Sequence, residues 1–154
     1  MRQNNTQHHG RGSLMQQSNT KLPSLKEIEV TFFRNLQKVF ANGLVRFLEE
    51  LDEWIMEHRD RGRFRMQDKR KVSLSTLYGE ITFFRRMYKD REKNGYVYLL
   101  DQYLSFDGEV GMSPGLEELA VELASRGPSY RESADKLEAF LGYPAMSHET
   151  IKLI

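Results

Sequence analysis

The sequence predicts an α+β fold: a long amino-terminal amphipathic helix, then a three-stranded antiparallel meander, then a carboxy-terminal trihelical helix-turn-helix. Three observations support this order. Apolar residues recur at helical spacing from Leu25 to Ile55, β-branched and aromatic runs alternate with turn signals over 72–100, and three helix-start signals follow residue 111. We therefore expect a disordered tail over 1–22, the long helix over 23–58, a basic segment and β-meander over 59–106, and the helix-turn-helix region over 111–154.

The composition excludes several classes of protein. The chain has 154 residues, enough for one ordinary domain or two small lobes, and its hydrophobic content of 39% is sufficient for a core. It contains no cysteine, which excludes disulfides, zinc ribbons and thiol nucleophiles. No apolar run approaches the roughly 18 residues of a membrane span, and the first residues lack the apolar core of a signal peptide. We expect a cytoplasmic protein with no membrane partner.

The long helix has a clear start signal. Ser24 is followed three residues later by Glu27, the pattern of a capping box. A single apolar stripe is predicted to follow, and it consists of Leu25, Ile28, Phe32, Leu36, Val39 or Phe40, Leu44, Phe47, Leu51, and Trp54 or Ile55. The stripe must be buried against the meander, against a bent-back second half, or against another subunit. Packing within the chain is the preferred interpretation, and a homo-oligomer through this helix is the alternative.

The meander is predicted from three runs of strand-forming residues. The runs over 72–78 and 81–88 are separated by Gly79-Glu80, which is typical of a tight hairpin turn. The third run, 96–100, follows the turn signal Asn94-Gly95.

Three short helices are predicted to complete the chain. Ser113-Pro114 begins the first, Ser129 with Glu132 begins the second, and Ser147 begins the third, while Gly127 and Gly142 end the first two. This arrangement indicates a helix-turn-helix, although the connection before Ser147 is longer than the usual three or four residues.

Charge is distributed unevenly along the chain. Residues 59–93 contain twelve Lys and Arg against five Asp and Glu, whereas residues 101–138 contain three against nine. This asymmetry suggests that the central part faces a polyanion, with ordinary solvated surfaces as the alternative. Basic side chains that contact phosphates supply a sequence-independent part of DNA affinity.

The candidate DNA-binding residues fall into two groups. The basic segment and the hairpin supply phosphate contacts, namely Arg59, Arg61, Arg63, Arg65, Lys69, Arg70, Lys71, Arg85, Arg86 and Lys89. Because adjacent strand residues point to opposite faces, at most one of Arg85 and Arg86 can join a given basic surface. The last helix is predicted to reach base edges with His148, Glu149, Thr150 and Lys152, while Ser147 and Arg131 are available for phosphates.

No catalytic constellation is evident in the sequence. Asp101, Asp107 and Glu109, and the acids over 117–122, are better explained as solvated or helix-dipole charges than as metal ligands. His148 has no evident nucleophile to serve, and no Gly-rich phosphate loop occurs. We expect no catalytic residue, no metal site and no cofactor in this chain.

Five sequence blocks stand out in order along the chain: Thr-Leu-Tyr-Gly-Glu-Ile-Thr-Phe-Phe-Arg-Arg-Met-Tyr-Lys-Asp at 76–90, Tyr-Val-Tyr-Leu-Leu-Asp-Gln-Tyr-Leu at 96–104, Leu-Ala-Val-Glu-Leu-Ala-Ser at 119–125, Ser-Tyr-Arg-Glu-Ser-Ala at 129–134 and Ser-His-Glu-Thr-Ile at 147–151. Together they resemble the amino-terminal part of the UPF0236 proteins, the transposases of ISLre2-type bacterial insertion sequences.

The resemblance implies that the partner is double-stranded DNA, with the ends of an insertion sequence as candidate targets. In that family a ribonuclease-H-like domain follows, whose three carboxylates hold a divalent metal such as Mg²⁺. No such domain follows here, and the chain ends at Ile154, within the predicted last helix. We therefore expect the DNA-binding portion of a transposase, not itself catalytic. The alternatives are a helix-mediated interaction or dimerisation module and a non-functional transposase remnant.

Overall fold

The computed structural model describes residues 22–153, so most of the predicted disordered tail lies outside the described residues. The fold is α+β, with a long first helix and a three-stranded antiparallel sheet, as predicted. The elements are α1 (Leu25–His58), β1 (Phe64–Thr76), β2 (Gly79–Asp90), β3 (Gly95–Tyr98), α2 (Leu99–Leu104), α3 (Pro114–Arg126), α4 (Tyr130–Leu141) and α5 (His148–Leu153). Within residues 22–153, no helix is both long and apolar enough to cross a lipid bilayer.

Helix α1 begins at the predicted capping box. The Glu27 backbone N–H donates to the Ser24 hydroxyl at 3.3 Å, and the Ser24 backbone N–H donates to the Glu27 carboxylate at 2.6 Å. The Ser24 hydroxyl also donates to the Glu27 carboxylate at 2.7 Å, and this bond, followed by the one from the Ser24 backbone N–H, lowers the pKa of the Glu27 carboxyl below its ordinary value. Two donors that the first turn leaves free are thus satisfied locally.

The apolar residues of α1 occupy two faces, so the prediction of a single stripe is wrong. Leu48 and Ile55 are buried against the sheet, together with partly buried Leu44 and Leu51. Most of the other predicted stripe residues, from Leu25 to Trp54, are exposed to solvent. Apolar residues spaced three and four positions apart can lie on either of two faces of a helix. Packing against the sheet determines which of these faces is buried.

The hairpin turn lies two residues earlier than predicted. Thr76 pairs with Gly79, so Leu77 and Tyr78 form the turn and Gly79 begins β2 with a positive φ of 128°. The Thr76 hydroxyl fixes this turn because it accepts from the Tyr78 N–H at 3.1 Å and donates to the Gly79 carbonyl at 2.7 Å. Strand β1 also extends back to Phe64, so the basic segment up to residue 71 is largely strand, with a register shift between residues 66 and 68.

The predicted third strand is shorter than expected, because α2 replaces its carboxy-terminal part. Strand β3 ends at Tyr98, and Leu100 and Asp101 are both buried. In a strand, the side chains of adjacent residues point to opposite faces. In a helix, they are separated by only about 100° around the axis, so both Leu100 and Asp101 can face inward.

Helix α1 covers the open edge of the central strand. Strand β3 pairs with residues 87–90 of β2, and within residues 22–153 the preceding edge has no strand partner. There, the Phe84 N–H donates to the Glu49 carboxylate at 3.0 Å, and the Arg86 N–H donates to the Asp52 carboxylate at 3.0 Å. Side chains of α1 therefore satisfy backbone donors that would otherwise expose a strand edge.

Helices α3, α4 and α5 pack together at the hairpin end of the sheet. Ser113 and Ser129 cap α3 and α4 as predicted, and Gly142 ends α4 with a φ of 79°. Their shared core contains Leu116, Ala120, Leu137 and Leu141. The Tyr143 hydroxyl donates to the Thr76 carbonyl at 2.6 Å and joins this three-helix cluster to the sheet.

Candidate nucleic-acid interface

The basic half of β1 forms an exposed edge of the sheet. In the strand order β1-β2-β3, β1 lies at one side, and every residue from 65 to 71 is exposed. The described chain pairs with the outer side of β1 only near Ser75, which bonds to Gly111 and Ser113 at 2.9 Å each. The remaining edge therefore presents its backbone and its basic side chains to solvent.

Four cations of this segment have no carboxylate partner among the described residues: Arg61, Arg65, Lys69 and Lys71. Lys69 and Lys71 share one face of β1, while the register shift places Arg65 on the other face, opposite Lys89. Arg70 pairs with the exposed Asp68 at 2.8 Å, a surface contact worth at most about 1 kcal/mol. The edge therefore carries uncompensated positive charge on both faces, and we name these four cations the basic edge.

Two exposed aromatic rings lie beneath lysines near this surface. The Lys69 ammonium is 5.7 Å from the centre of the Phe84 ring, and the Lys89 ammonium is 5.0 Å from the centre of the Tyr96 ring. Lys89 also donates to the Asn94 carbonyl at 3.1 Å. Sequence reasoning did not include these rings as site residues, because their positions beside the lysines depend on the strand register.

Two predicted phosphate-binding arginines instead fix the connection between α1 and β1. Arg63 forms ion pairs with Asp90 and Glu92, both at 2.9 Å. Its hydrogen bond lowers the pKa of the Asp90 carboxyl to about 2. Arg59 is half-buried, donates to the Met56 and Phe64 carbonyls, and lies over the Tyr88 ring. Neither guanidinium is free for a phosphate in this conformation.

Arg85 and Arg86 are buried, which corrects their predicted role as phosphate contacts. Arg86 is 8% exposed and pairs with Asp52 at 2.6 Å and with Glu53. Arg85 is 2% exposed, pairs with Asp101 and with Glu109, and lies 3.6 Å from the centre of the Tyr98 ring. Burial lowers the pKa of the Arg85 guanidinium from its ordinary value. The two side chains do point to opposite faces. Helix α1 supplies the carboxylates that pair with Arg86, and α2 and the loop after it supply the carboxylates that pair with Arg85.

The predicted site on the last helices is only partly available. Arg131 and Lys152 are exposed, whereas the Ser147 and Thr150 hydroxyls bond to each other at 3.0 Å. The Ser147 hydroxyl also accepts from the Thr150 N–H at 3.2 Å, so it caps α5. The side chain of His148 lies outside the described part of the structure.

The two predicted groups of DNA-binding residues do not form one patch. The three-helix cluster is joined to the sheet at Thr76, and Arg65 lies at the opposite end of β1. At about 3.3 Å per strand residue, Thr76 is roughly 35 Å from Arg65 and about 16 Å from Lys71, the nearest cation of the basic segment. A nucleic acid that contacts all of the basic segment and the three-helix cluster must therefore span most of the length of the sheet.

The three acidic residues around the end of the sheet, Asp101, Asp107 and Glu109, are engaged with neighbours. Asp101 and Glu109 pair with Arg85, and the Asp107 carboxylate accepts from the Glu109 N–H at 2.9 Å. Within residues 22–153, no group of three or more His, Cys, Asp or Glu side chains is placed to hold a metal ion.

Comparison with known protein families finds that one family matches most of this chain. The model described as "Uncharacterised protein family (UPF0236)" matches residues 19–154. A UPF0236 protein of Caldanaerobacter subterraneus subsp. tengcongensis, whose name joins eleven gene designations, is 32% identical over 100 residues, which are 64% of this chain and 21% of that protein. A second, whose name joins four designations, is 31% identical over 100 residues, with the same shares of the two chains. The chain thus matches about a fifth of the length of these relatives, and no solved structure matches it.

Proposed function

Because this chain belongs to the UPF0236 family, we propose that it is the DNA-binding amino-terminal portion of an ISLre2-type transposase, acts in the cytoplasm and catalyses no reaction itself. The observation that carries this proposal is the basic edge, where four exposed cations lack carboxylate partners among the described residues. The ligand chemistry that fits it is a phosphate backbone. Such contacts release counterions and give affinity without reading sequence.

The structure reduces the set of residues to which we assign phosphate contacts. Arg61, Arg65, Lys69 and Lys71 form the primary set, and Arg70 and Lys89 lie beside them with weak partners of their own. Arg59, Arg63, Arg85 and Arg86 hold the fold together and are left out. The excess of Lys and Arg over residues 59–93 is therefore larger than the positive charge that is available to bind a ligand.

We further propose that α3, α4 and α5 act as a helix-turn-helix. The three helices share one core, and α5 exposes Glu149 and Lys152, as a helix that enters the major groove must do. Arg131, Ser147 and Thr150 are assigned to phosphates beside it, and His148 to a base edge.

The names of the relatives support the mobile-element part of this proposal. A protein name that joins eleven gene designations in one organism is what a gene copied many times would produce. We therefore propose insertion-sequence ends as the preferred DNA. In a full-length relative, the catalytic domain and its divalent metal, such as Mg²⁺, are assigned to the part of the protein beyond the matched fifth.

The proposal is tested by fluorescence anisotropy with a labelled duplex of about three helical turns at one low salt concentration. The variant Arg61→Ala, Arg65→Ala, Lys69→Ala and Lys71→Ala removes the basic edge. A control with the same loss of charge replaces Lys26, Lys38, Arg46 and Arg126, which lie elsewhere and are exposed. We expect the edge variant to lose most of the affinity and the control to retain it. Equal losses in the two variants, or no binding by the unmodified chain, would refute the proposal.

A further inference from the structure

Helix α1 carries a second apolar face that remains exposed within residues 22–153. Its members are exposed by 39–70% of their surface: Leu25, Ile28, Phe32, Leu36, Val39, Phe47 and Trp54. At 100° per residue, these seven positions fall within an arc of roughly 100°. The centre of that arc is more than 100° away from the buried residues Leu48 and Ile55. We name these seven side chains the outer stripe.

The outer stripe is large enough for a stable protein contact. From Leu25 to Trp54 it runs about 44 Å along the helix. Its side chains expose roughly 800 Å² in total, which is about what one partner contributes to an interface of standard size. The largest apolar patch of an ordinary monomer is smaller, roughly 300–600 Å².

Four members of the outer stripe are also symmetric about the midpoint between Val39 and Phe40. Leu25 and Trp54 lie at equal distances from that midpoint, as do Phe32 and Phe47. Leu36 is matched in the same way by Gly43, where a side chain would meet no atom within 4 Å. A two-fold axis through this midpoint would therefore bring large side chains together and would place Leu36 in the space beside Gly43. That is the self-complementary pattern of a contact between identical surfaces.

We propose that the outer stripe binds a second copy of this chain, with the two α1 helices antiparallel. Within residues 22–153, the hydrogen bonds and ion pairs that join α1 to the rest of the fold use its other side, and the stripe is touched mainly at its edges, where Trp54 meets the Tyr103 ring at 6.3 Å and Leu36 borders a groove beside Phe140. Arg34 donates to the Phe140 carbonyl at 2.9 Å, and Gln37 donates to the Leu141 carbonyl at 3.1 Å. Farther along, Asp52 pairs with Arg86. Since the sheet packs on the carboxy-terminal half of α1, antiparallel pairing places the two sheets at opposite ends of the helix pair.

The oligomeric state is measured by sedimentation equilibrium of the purified chain at micromolar concentrations. We expect twice the 18.1 kDa mass of one chain, and a single-chain mass for the variant Leu36→Glu with Val39→Glu. The matched control is Val30→Glu with Val121→Glu, since these valines are also exposed but lie outside the outer stripe. Circular dichroism confirms that each variant is folded. A single-chain mass for the unmodified protein, or dissociation of the control to the same extent, would overturn the proposal.

The antiparallel orientation of the two α1 helices is tested by disulfide cross-linking. The chain contains no cysteine, so every disulfide must form between introduced residues. In the antiparallel pair, Val39 lies next to its own copy, whereas Leu25 lies about 44 Å from its copy and close to Trp54 of the other copy. Oxidation should therefore cross-link Val39→Cys to itself, and Leu25→Cys only to Trp54→Cys in a mixture of the two variants. Efficient self-linking of Leu25→Cys would contradict the antiparallel arrangement. Failure of Val39→Cys to link would contradict the interface itself.

Discussion

The carboxylate of Asp52 joins α1 to the sheet through two buried bonds. One of its oxygens accepts the Arg86 backbone N–H at 3.0 Å, and the other accepts the Arg86 guanidinium at 2.6 Å. Both side chains are buried, at 1% exposure for Asp52 and 8% for Arg86. The replacement Asp52→Ala therefore leaves a buried cation with only Glu53 as a partner, and a backbone donor without an acceptor.

Removal of one partner from a buried ion pair commonly costs about 3–5 kcal/mol. Because Glu53 continues to pair with Arg86, we expect Asp52→Ala to lower the free energy of unfolding by about 3 kcal/mol. The measurement is urea unfolding followed by circular dichroism at 222 nm. Glu53→Ala is the matched control on the same helix, and since its side chain is half exposed its effect should stay below about 1 kcal/mol. A loss below about 1 kcal/mol for Asp52→Ala, or equal losses in the two variants, would refute this account of the packing.

Three further substitutions test other parts of the fold. The Tyr88 hydroxyl is buried without a described partner, so Tyr88→Phe should leave stability at pH 7 unchanged or slightly higher. Burial raises the pKa of Tyr88 to about 12, so the unmodified protein should lose stability from pH 10 to 12, and Tyr88→Phe should lose less, as measured by urea unfolding at each pH. Burial also raises the pKa of Tyr143, so part of the loss should remain in the variant. The pKa of Asp90 is lowered to about 2, chiefly by its hydrogen bond with Arg63. Its stabilisation should be complete above about pH 4 and disappear as the pH falls to 2, and Asp90→Asn should flatten that part of an acid titration. Gly142 has a φ of 79° and lies against the Arg34 guanidinium, so Gly142→Ala should lower stability by about 1–2 kcal/mol, visible as a lower Tm.

The ends of the helices could be predicted from the sequence because capping is local. Ser24 with Glu27, Ser113 and Ser129 each act within three residues along the chain, and the structure places all of them where the pattern predicted. Gly142 likewise ends α4 in the left-handed conformation that favours glycine. These features need no knowledge of tertiary contacts.

The strand register and the face of α1 could not be predicted in this way. The Gly79-Glu80 signal was two residues away from the true turn, since the Thr76 hydroxyl stabilises a turn at Leu77 and Tyr78. The spacing of apolar residues along α1 fits two faces, and only contact with the sheet separates them. Such choices depend on residues that are distant in sequence.

The candidate site was predictable in outline only. The excess of Lys and Arg over 59–71 indicated where the basic edge lies, and residues 65–71 within it are exposed, whereas Arg59 and Arg63 are partly buried. The partners of Arg63, Arg85 and Arg86 lie 16–34 residues away along the chain, so sequence analysis could not tell which cations are already neutralised.

The central claim, that the basic edge contacts phosphates, is tested most directly by the salt dependence of duplex binding by the unmodified chain. If the four cations of the basic edge each neutralise one phosphate, the logarithm of the association constant should fall linearly with the logarithm of salt concentration, and these four residues should contribute about −4 to the slope. The substitution of all four by Ala should therefore make the slope less steep by about 4, and should leave only the contribution of the other cations, such as Arg131. Binding that is independent of salt, or no binding even at low salt, would contradict the claim.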